Sequence, residues 1–406
     1  MTPLTTQQLA ETARTYCFPN YGDRDLAIVS GKGCRVRDAE GNEYLDFLGG
    51  IAVNSLGHCH PAVVEAIRAQ AAELIHCSNL YLIDPYVRLA ERLCRETGMK
   101  KAFFCNSGTE ATEAAMKLAR RWAANTRGDG HATIIAFEGS FHGRTYGSMS
   151  ATWNKKVREG FGTALSGVRF ANFNDLESVD AAWGEDVCAV LVETVQGEGG
   201  VNPASHAFLT GLRERCSRAD ALLMIDEIQC GMGRCGYPFA YQGGHVQPDV
   251  VLAAKALGGG LPLGGVLAGE KACDVFQPGT HGSTFGGNPV ACAAALAVCD
   301  IVFDPDFLEA VGEKGCHFWG GLGGLQREFP ELIKTIRGLG LMIGMELTRP
   351  GAEIVKIARR HGLLINCTAD KVLRFLPPLT VEQSDIDEAV EKLHAALKEF
   401  EAQANV

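Results

Sequence analysis

Lys255 ends the apolar run VVLAA shortly before the stretch GGGLPLGG, and Asp226 ends the apolar run LLMI 29 residues earlier. A charge at the end of a buried run is costly unless something nearby uses it. An ion pair between the two would account for these residues alone. It would not account for Ser107, Gly108 and Thr109, where the run AFFC gives way to a helical pattern. That junction gathers free backbone N–H groups, two hydroxyls and the positive end of a helix dipole, a site suited to phosphate. Taken alone, Ser-Gly-Thr is no more than a capped helix, with Ser107 as N-cap and Glu110 as the acid of a capping box.

Pyridoxal phosphate (PLP) uses every member of the set. Its phosphate takes the helix start, a carboxylate keeps its pyridine nitrogen protonated so that the ring acts as an electron sink, and a lysine forms the Schiff base and then shuttles the proton. Apolar surroundings lower the pKa of such a lysine, as both tasks require. The glycines after Lys255 let the backbone pass close to the cofactor. Phe141 is placed to cover one ring face and Ile228 the other. A dinucleotide site is the competing reading of the glycines, but GGGLPLGG is not a G-x-G-x-x-G turn opening a helix, and no GxxxxGK[ST] occurs.

The elements that must carry these residues form a repeating unit of apolar run, polar or glycine-rich loop and amphipathic stretch. Ala102–Cys105 reads as a buried strand, and Ala111, Ala115, Leu118 and Trp122 follow at helical spacing. HATIIAFEGSFHGRT, VCAVLVETVQGEGG, ALLMIDEIQCGMGRCG and PDVVLAAKALGGG repeat the pattern. Near-continuous apolar strands with intervening helices predict an α/β fold around a mostly parallel sheet, with ligands beyond the carboxyl ends of the strands. The polar residues read as ending these runs are Ser107, Arg144, Glu198, Asp226 and Lys255. From about Phe303 helices alternate with short strands, and a last helix starts near Ser384, which predicts a smaller α+β domain.

The chain of 406 residues carries a net charge of −10, with 46% apolar and 21% charged residues. This balance argues against nucleic-acid or membrane partners. The 15 cysteines are scattered and include no CxxC pair, so neither a disulfide framework nor a metal site is expected. With no secretory signal legible in the first fourteen residues, a cytoplasmic protein is the expectation.

The segments NSGTEATEAAMKLAR, FHGRT, QGEGG, IDEIQCGMGR, AAKALGGGLPLGG, GSTFGGNPVACAAAL and LRFLPPLT, in this order, resemble the class III PLP-dependent aminotransferases of fold type I over essentially the whole chain. LDFLGGIAVNSLGHCHP and the compact length bring the resemblance closest to the branch acting on N-acetylornithine. The resemblance implies a seven-stranded, mostly parallel sheet in a large domain (51–302), a small domain (303–406), and an N-terminal segment (1–50) joining the latter. It implies that Gly108 and Thr109 hold the phosphate, Phe141 stacks on the ring, Asp226 binds the pyridine nitrogen, Gln229 lies near the ring hydroxyl and Lys255 carries the cofactor. Thr284 would reach the phosphate of the neighbouring subunit with Ser283 beside the substrate, in a homodimer with shared sites.

For substrates, the resemblance implies transfer of the δ-amino group of N-acetyl-L-ornithine to 2-oxoglutarate, which yields glutamate. Ornithine, succinylornithine, an acylated lysine precursor and 4-aminobutyrate are the alternative donors, and an aminomutase is the alternative reaction. Arg144 offers a permanently charged fork for one carboxylate. Arg374 resembles the arginine that takes the α-carboxylate of glutamate, and Glu198 its switch partner. Tyr21 stands where substrate-contacting tyrosines occur, although Asp23–Asp25 departs from the family pattern. So do Thr194, where proline is usual, and Cys230 and Cys235, where threonines are common.

Overall fold

In the computed structural model, which describes residues 4–404, helix α1 (Thr6–Tyr16) precedes three strands, β1 (Ile28–Lys32), β2 (Arg35–Asp38) and β3 (Glu43–Asp46). The main sheet is built from β4 (Lys101–Cys105), β5 (Thr133–Phe137), β6 (Val168–Ala171), β7 (Val187–Glu193), β8 (Leu222–Asp226), β9 (Val250–Ala253) and β10 (Gly264–Ala268). Its spatial order is β4-β10-β9-β8-β7-β5-β6, and β10 alone runs antiparallel to its neighbours. The mostly parallel α/β sheet expected from the pattern is therefore present, with the seven strands that the resemblance implies.

Every residue of β5, β7 and β8 is buried, as a sheet covered on both faces requires. Alternate side chains enter different cores: Ile135, Phe137, Val190 and Val192 one of them, Ile134, Ala136, Ala189 and Leu191 the other. Helix α2 (Gly108–Arg127) buries Ala111, Ala115, Leu118 and Trp122, the positions at helical spacing. A short helix α3 (Tyr146–Ala151) lies after β5.

The remainder holds β11 (Ile333–Leu339), β12 (Met342–Leu347), β13 (Leu363–Leu364), β14 (Asn366–Thr368) and β15 (Val372–Phe375), and ends in helix α4 (Gln383–Ala404). Four of these strands form the antiparallel sheet β11-β12-β15-β14. The fifth, β13, pairs in parallel with β3, so the first strands of the chain share a sheet with a strand near its end. Within the segments 1–50 and 303–406, residues 1–3 and 405–406 lie outside the described residues.

Candidate active site

The strand ends converge. Asp226, the last residue of β8, stands in register with Glu193, the last of β7, and with Leu252 of β9. Two residues beyond β4 and β9 come Ser107 and Lys255. Together with Gly108, Thr109, Phe141, His142, Gly143, Arg144, Glu193, Asp226, Ile228 and Gln229 they line one cavity of about 290 Å³.

Each side chain is aimed by local structure. Ser107 is the N-cap of α2, and its hydroxyl accepts from Glu110 N at 3.3 Å. The Glu110 carboxylate accepts from Asn106 N, one residue earlier than a capping box prescribes, and from Ser107 Oγ. The first N–H groups of α2 have no intrahelical acceptor, and those of Gly108 and Thr109 lie at the cavity wall. A Cβ at Gly108 would fall 2.9 Å from Ile228 Cγ2, which explains the bare backbone there. Lys255 has φ +49°, a left-handed conformation unusual for a side-chain-bearing residue; such local strain persists where the surroundings demand one orientation.

The electrostatics follow from burial. Taking Lys255 away from water pushes its ammonium pKa down, and Arg374 pushes the same way against Glu198, Asp226 and Glu193. Asp226 Oδ2 lies 2.7 Å from His142 Nδ1, and Oδ1 accepts from Ile228 N at 3.0 Å. Burial opposes protonation of His142, but the hydrogen bond and charge of Asp226, with Glu193 behind it, hold its pKa above the ordinary value. Burial raises the carboxyl pKa of Glu193 well above normal.

Arg374 projects from β15 with no exposed surface. Its Nη1 donates to Glu198 Oε1 at 2.5 Å and to Gln229 Oε1 at 3.1 Å, and its Nε to Asn366 Oδ1 at 3.2 Å. Burial favours the neutral form of Glu198, yet the charge and hydrogen bond of Arg374 hold its carboxyl below the usual range.

Most of the residues expected at the site are thus gathered, with two corrections. The strand that precedes QGEGG ends in Glu193, not Glu198, because the whole run VCAVLVE is buried and Glu193 is held by the N–H groups of Phe141 and Gly197. Arg144 comes from a loop rather than a strand end and is exposed at the rim, 5.9 Å from the Phe141 ring centroid. Tyr21, Glu198, Ser283, Thr284 and Arg374 do not line the cavity in one chain; Arg374 joins it through its hydrogen bond to Gln229, and Tyr21 is 77% exposed. His142 and Glu193 are the residues that sequence reasoning missed. His142 sits inside the quoted FHGRT, and a count of continuous burial to the end of VCAVLVE would have found Glu193.

The model of the aminotransferase class-III family matches residues 18–397. The chain belongs to this family. The acetylornithine aminotransferase of Caldanaerobacter subterraneus is 47% identical over 388 residues, covering 95% of this chain and 98% of the relative. Among solved structures, N-acetylornithine aminotransferase from Stenotrophomonas maltophilia superposes with TM-score 0.83 at 38% identity, covering 95% and 99% of the two chains. Ornithine aminotransferase from Toxoplasma gondii, a structure with PLP at partial occupancy in its active site, superposes with TM-score 0.93 at 32% identity over 99% and 96%. As a class-III aminotransferase the chain would use PLP, and its cavity fits the group. It offers bare N–H groups at a helix start, a buried carboxylate with one oxygen anchored by His142, and a lysine that burial drives toward its neutral form. No helix among the described residues is long and apolar enough to cross a membrane.

Proposed function

We propose that the protein is a PLP-dependent aminotransferase that moves the δ-amino group of N-acetyl-L-ornithine to 2-oxoglutarate, giving N-acetylglutamate 5-semialdehyde and glutamate. The observation that carries this reading is the Glu198–Arg374 pair beside Lys255. A buried arginine with a movable acidic partner suits a site that must accept a dicarboxylate and an ω-amine in turn. PLP, when bound, supplies the electron sink that lets an amino group leave one carbon and join another. Ser107, Gly108 and Thr109 bind its phosphate, Phe141 and Ile228 flank its ring, and Gln229 lies toward its hydroxyl. Asp226, oriented by His142, holds the proton on the pyridine nitrogen. Lys255 Nζ holds the group covalently and moves the proton at the carbon that gains or loses nitrogen. Arg144 grips a substrate carboxylate at the rim, while Arg374 takes the α-carboxylate of glutamate once Glu198 turns away.

A panel of N-acetylornithine, ornithine, succinylornithine and 4-aminobutyrate, each with 2-oxoglutarate, tests the donor. A clearly higher kcat/KM with ornithine would favour the second reading, for which the high superposition on the Toxoplasma enzyme speaks. Migration of the amino group within the donor, with no external keto acid consumed, would indicate an aminomutase.

The assembly belongs to the same proposal. Leu80, Tyr81, Leu82 and Phe285 are 87%, 69%, 93% and 61% exposed. They flank the Ser283–Thr284 loop, which Asn79 Nδ2 holds through the carbonyls of Ser283 and Gly286. A contiguous apolar surface of this kind suits burial against a second copy. Thr284 would then serve the partner's phosphate and Ser283 and Tyr21 the substrate. Leu82→Glu should give a monomer of lower PLP affinity by sedimentation and titration; a dimer of full affinity would refute this interface. Segments 1–50 and 303–406 would form the small domain and 51–302 the large one. All 15 cysteines are free, which suits a reducing cytoplasm.

A further inference from the structure

Glu113 lies one turn along α2 from Thr109, on the same helix face, and is not among the residues lining the cavity. Its Oε1 accepts from Thr145 Oγ1 at 2.5 Å, from Gly147 N at 2.8 Å and from Ser148 N at 3.2 Å. One carboxylate oxygen thus pins the start of α3 and the end of the loop that carries Phe141, His142 and Arg144. The fit is tight. A Cβ at Gly147 would come 2.1 Å from Glu113 Oε2, and one at Gly143, where φ is +131°, would come 2.3 Å from Thr109 Oγ1.

The clamp reaches the anion cradle through three hydroxyls. Thr109 Oγ1 lies 2.9 Å from Thr145 Oγ1 and 2.6 Å from Ser148 Oγ, and those two lie 2.8 Å apart. Thr109 Oγ1 also accepts from the N–H groups of Arg144 and Thr145, each at 3.2 Å. Each hydroxyl has a single proton, and an ionised carboxylate can only accept. Thr145 therefore commits its proton to Glu113 and can only accept from its neighbours. Ser148 meets that demand with its own proton, since both acceptor positions of Thr109 Oγ1 are filled by backbone donors. Thr109 thus keeps a proton that turns either to Ser148 Oγ or to an anion at the helix start.

We infer that Glu113 is a positioning residue for cofactor and substrate binding. It sets the direction of the hydroxyl cluster so that the Thr109 proton is available to the phosphate, and it holds the loop that presents Arg144 at the rim. The inference rests on the proposed binding of the PLP phosphate by the cradle.

The test titrates PLP into the apo form of the full chain by absorbance, for wild type, Glu113→Ala, Glu113→Gln and Thr145→Val, with thermal unfolding of each apo form and substrate KM values of each holoenzyme. Glu113→Ala should weaken PLP binding about tenfold or more, the loss expected when charge-assisted hydrogen bonds are broken. It should also raise KM for the amino donor more than it lowers kcat. Glu113→Gln keeps an acceptor oxygen and should rescue most of the affinity, to within about threefold of wild type. Thr145→Val, which cuts the hydroxyl link, should also weaken PLP binding. A Glu113→Ala chain that melts earlier yet binds PLP as wild type does would make the residue merely structural and overturn the inference. If that variant does not fold, wild-type affinity in Thr145→Val overturns it equally. A wild-type chain that takes up no PLP would instead overturn the reading of the cavity itself.

Discussion

Glu198→Gln separates the two half-reactions. In the resting site Arg374 Nη1 donates to Glu198 at 2.5 Å, with Gln229 and Asn366 as its remaining side-chain acceptors. The arginine side chain is wholly buried, whereas that of Glu198 is 37% exposed, so the carboxylate is the member able to swing into solvent. A hydrogen bond to a charged group is worth about 1.5–3 kcal/mol. Partial exposure of Glu198 calls for the lower end of that range, which corresponds to about a tenfold change in rate or affinity. The amide keeps size and one acceptor but not the charge, so the substrate's α-carboxylate meets a weaker competitor for Arg374. The glutamate half-reaction should gain about tenfold in kcat/KM. The ω-amine half-reaction should lose a similar factor, because the freed arginine draws the donor's α-carboxylate into the wrong orientation. The ratio of the two then moves about a hundredfold. Single-turnover absorbance measurements of each half-reaction read the two numbers separately. Equal changes in both half-reactions, or none, would refute the idea that Glu198 acts as a switch.

Other perturbations address neighbouring parts of the site. Lys255→Ala should still bind PLP but lose nearly all turnover, and PLP without the absorption shift of the lysine-bound form is the spectral check. Because burial lowers the Lys255 pKa, capture of PLP by the apo form should rise with pH and level off below pH ~10.5, the range in which an exposed lysine would still be gaining; a rise continuing through that range would contradict the burial argument. Asp226→Ala should weaken PLP binding and slow the reaction by removing the partner of the pyridine proton, as direct titration and kcat would register. Arg144→Ala should raise substrate KM far more than it weakens PLP, and unchanged half-reactions would refute its assignment. Thr194→Val removes the hydroxyl that donates to buried Glu227 at 2.5 Å, and should destabilise the fold by about 1.5–3 kcal/mol in chemical denaturation while leaving KM unchanged.

That last contact shows how departures from the family pattern are absorbed. Burial pushes the Glu227 carboxyl up to about 7, and three donors surround it: the Thr194 hydroxyl and the N–H groups of Ala240 and Tyr241. A threonine in place of proline thus adds a partner for a buried acid. Asp25, in the atypical loop, forms a two-point ion pair with Arg359 at 2.6 and 2.7 Å. It faces the C-terminal part of the chain.

The sequence by itself determined what depends on neighbours a few positions apart. An apolar run followed by a polar residue marks a strand end, so Ser107, Asp226 and Lys255 were legible, as were the N-cap of α2 and its buried face. The alternation of runs and helices sufficed for the parallel sheet. Register and distant pairing were decided only by the tertiary structure. Asp226 lies beside Glu193 because β7 and β8 align residue by residue; burial raises the Glu193 pKa and the neighbouring Asp226 charge adds to it. Arg374 meets Glu198 across 176 residues of sequence, and Glu113 holds Thr145 across 32. Nothing local encodes such pairs, because they form only when packing brings separate elements together and their buried polar groups must find partners there.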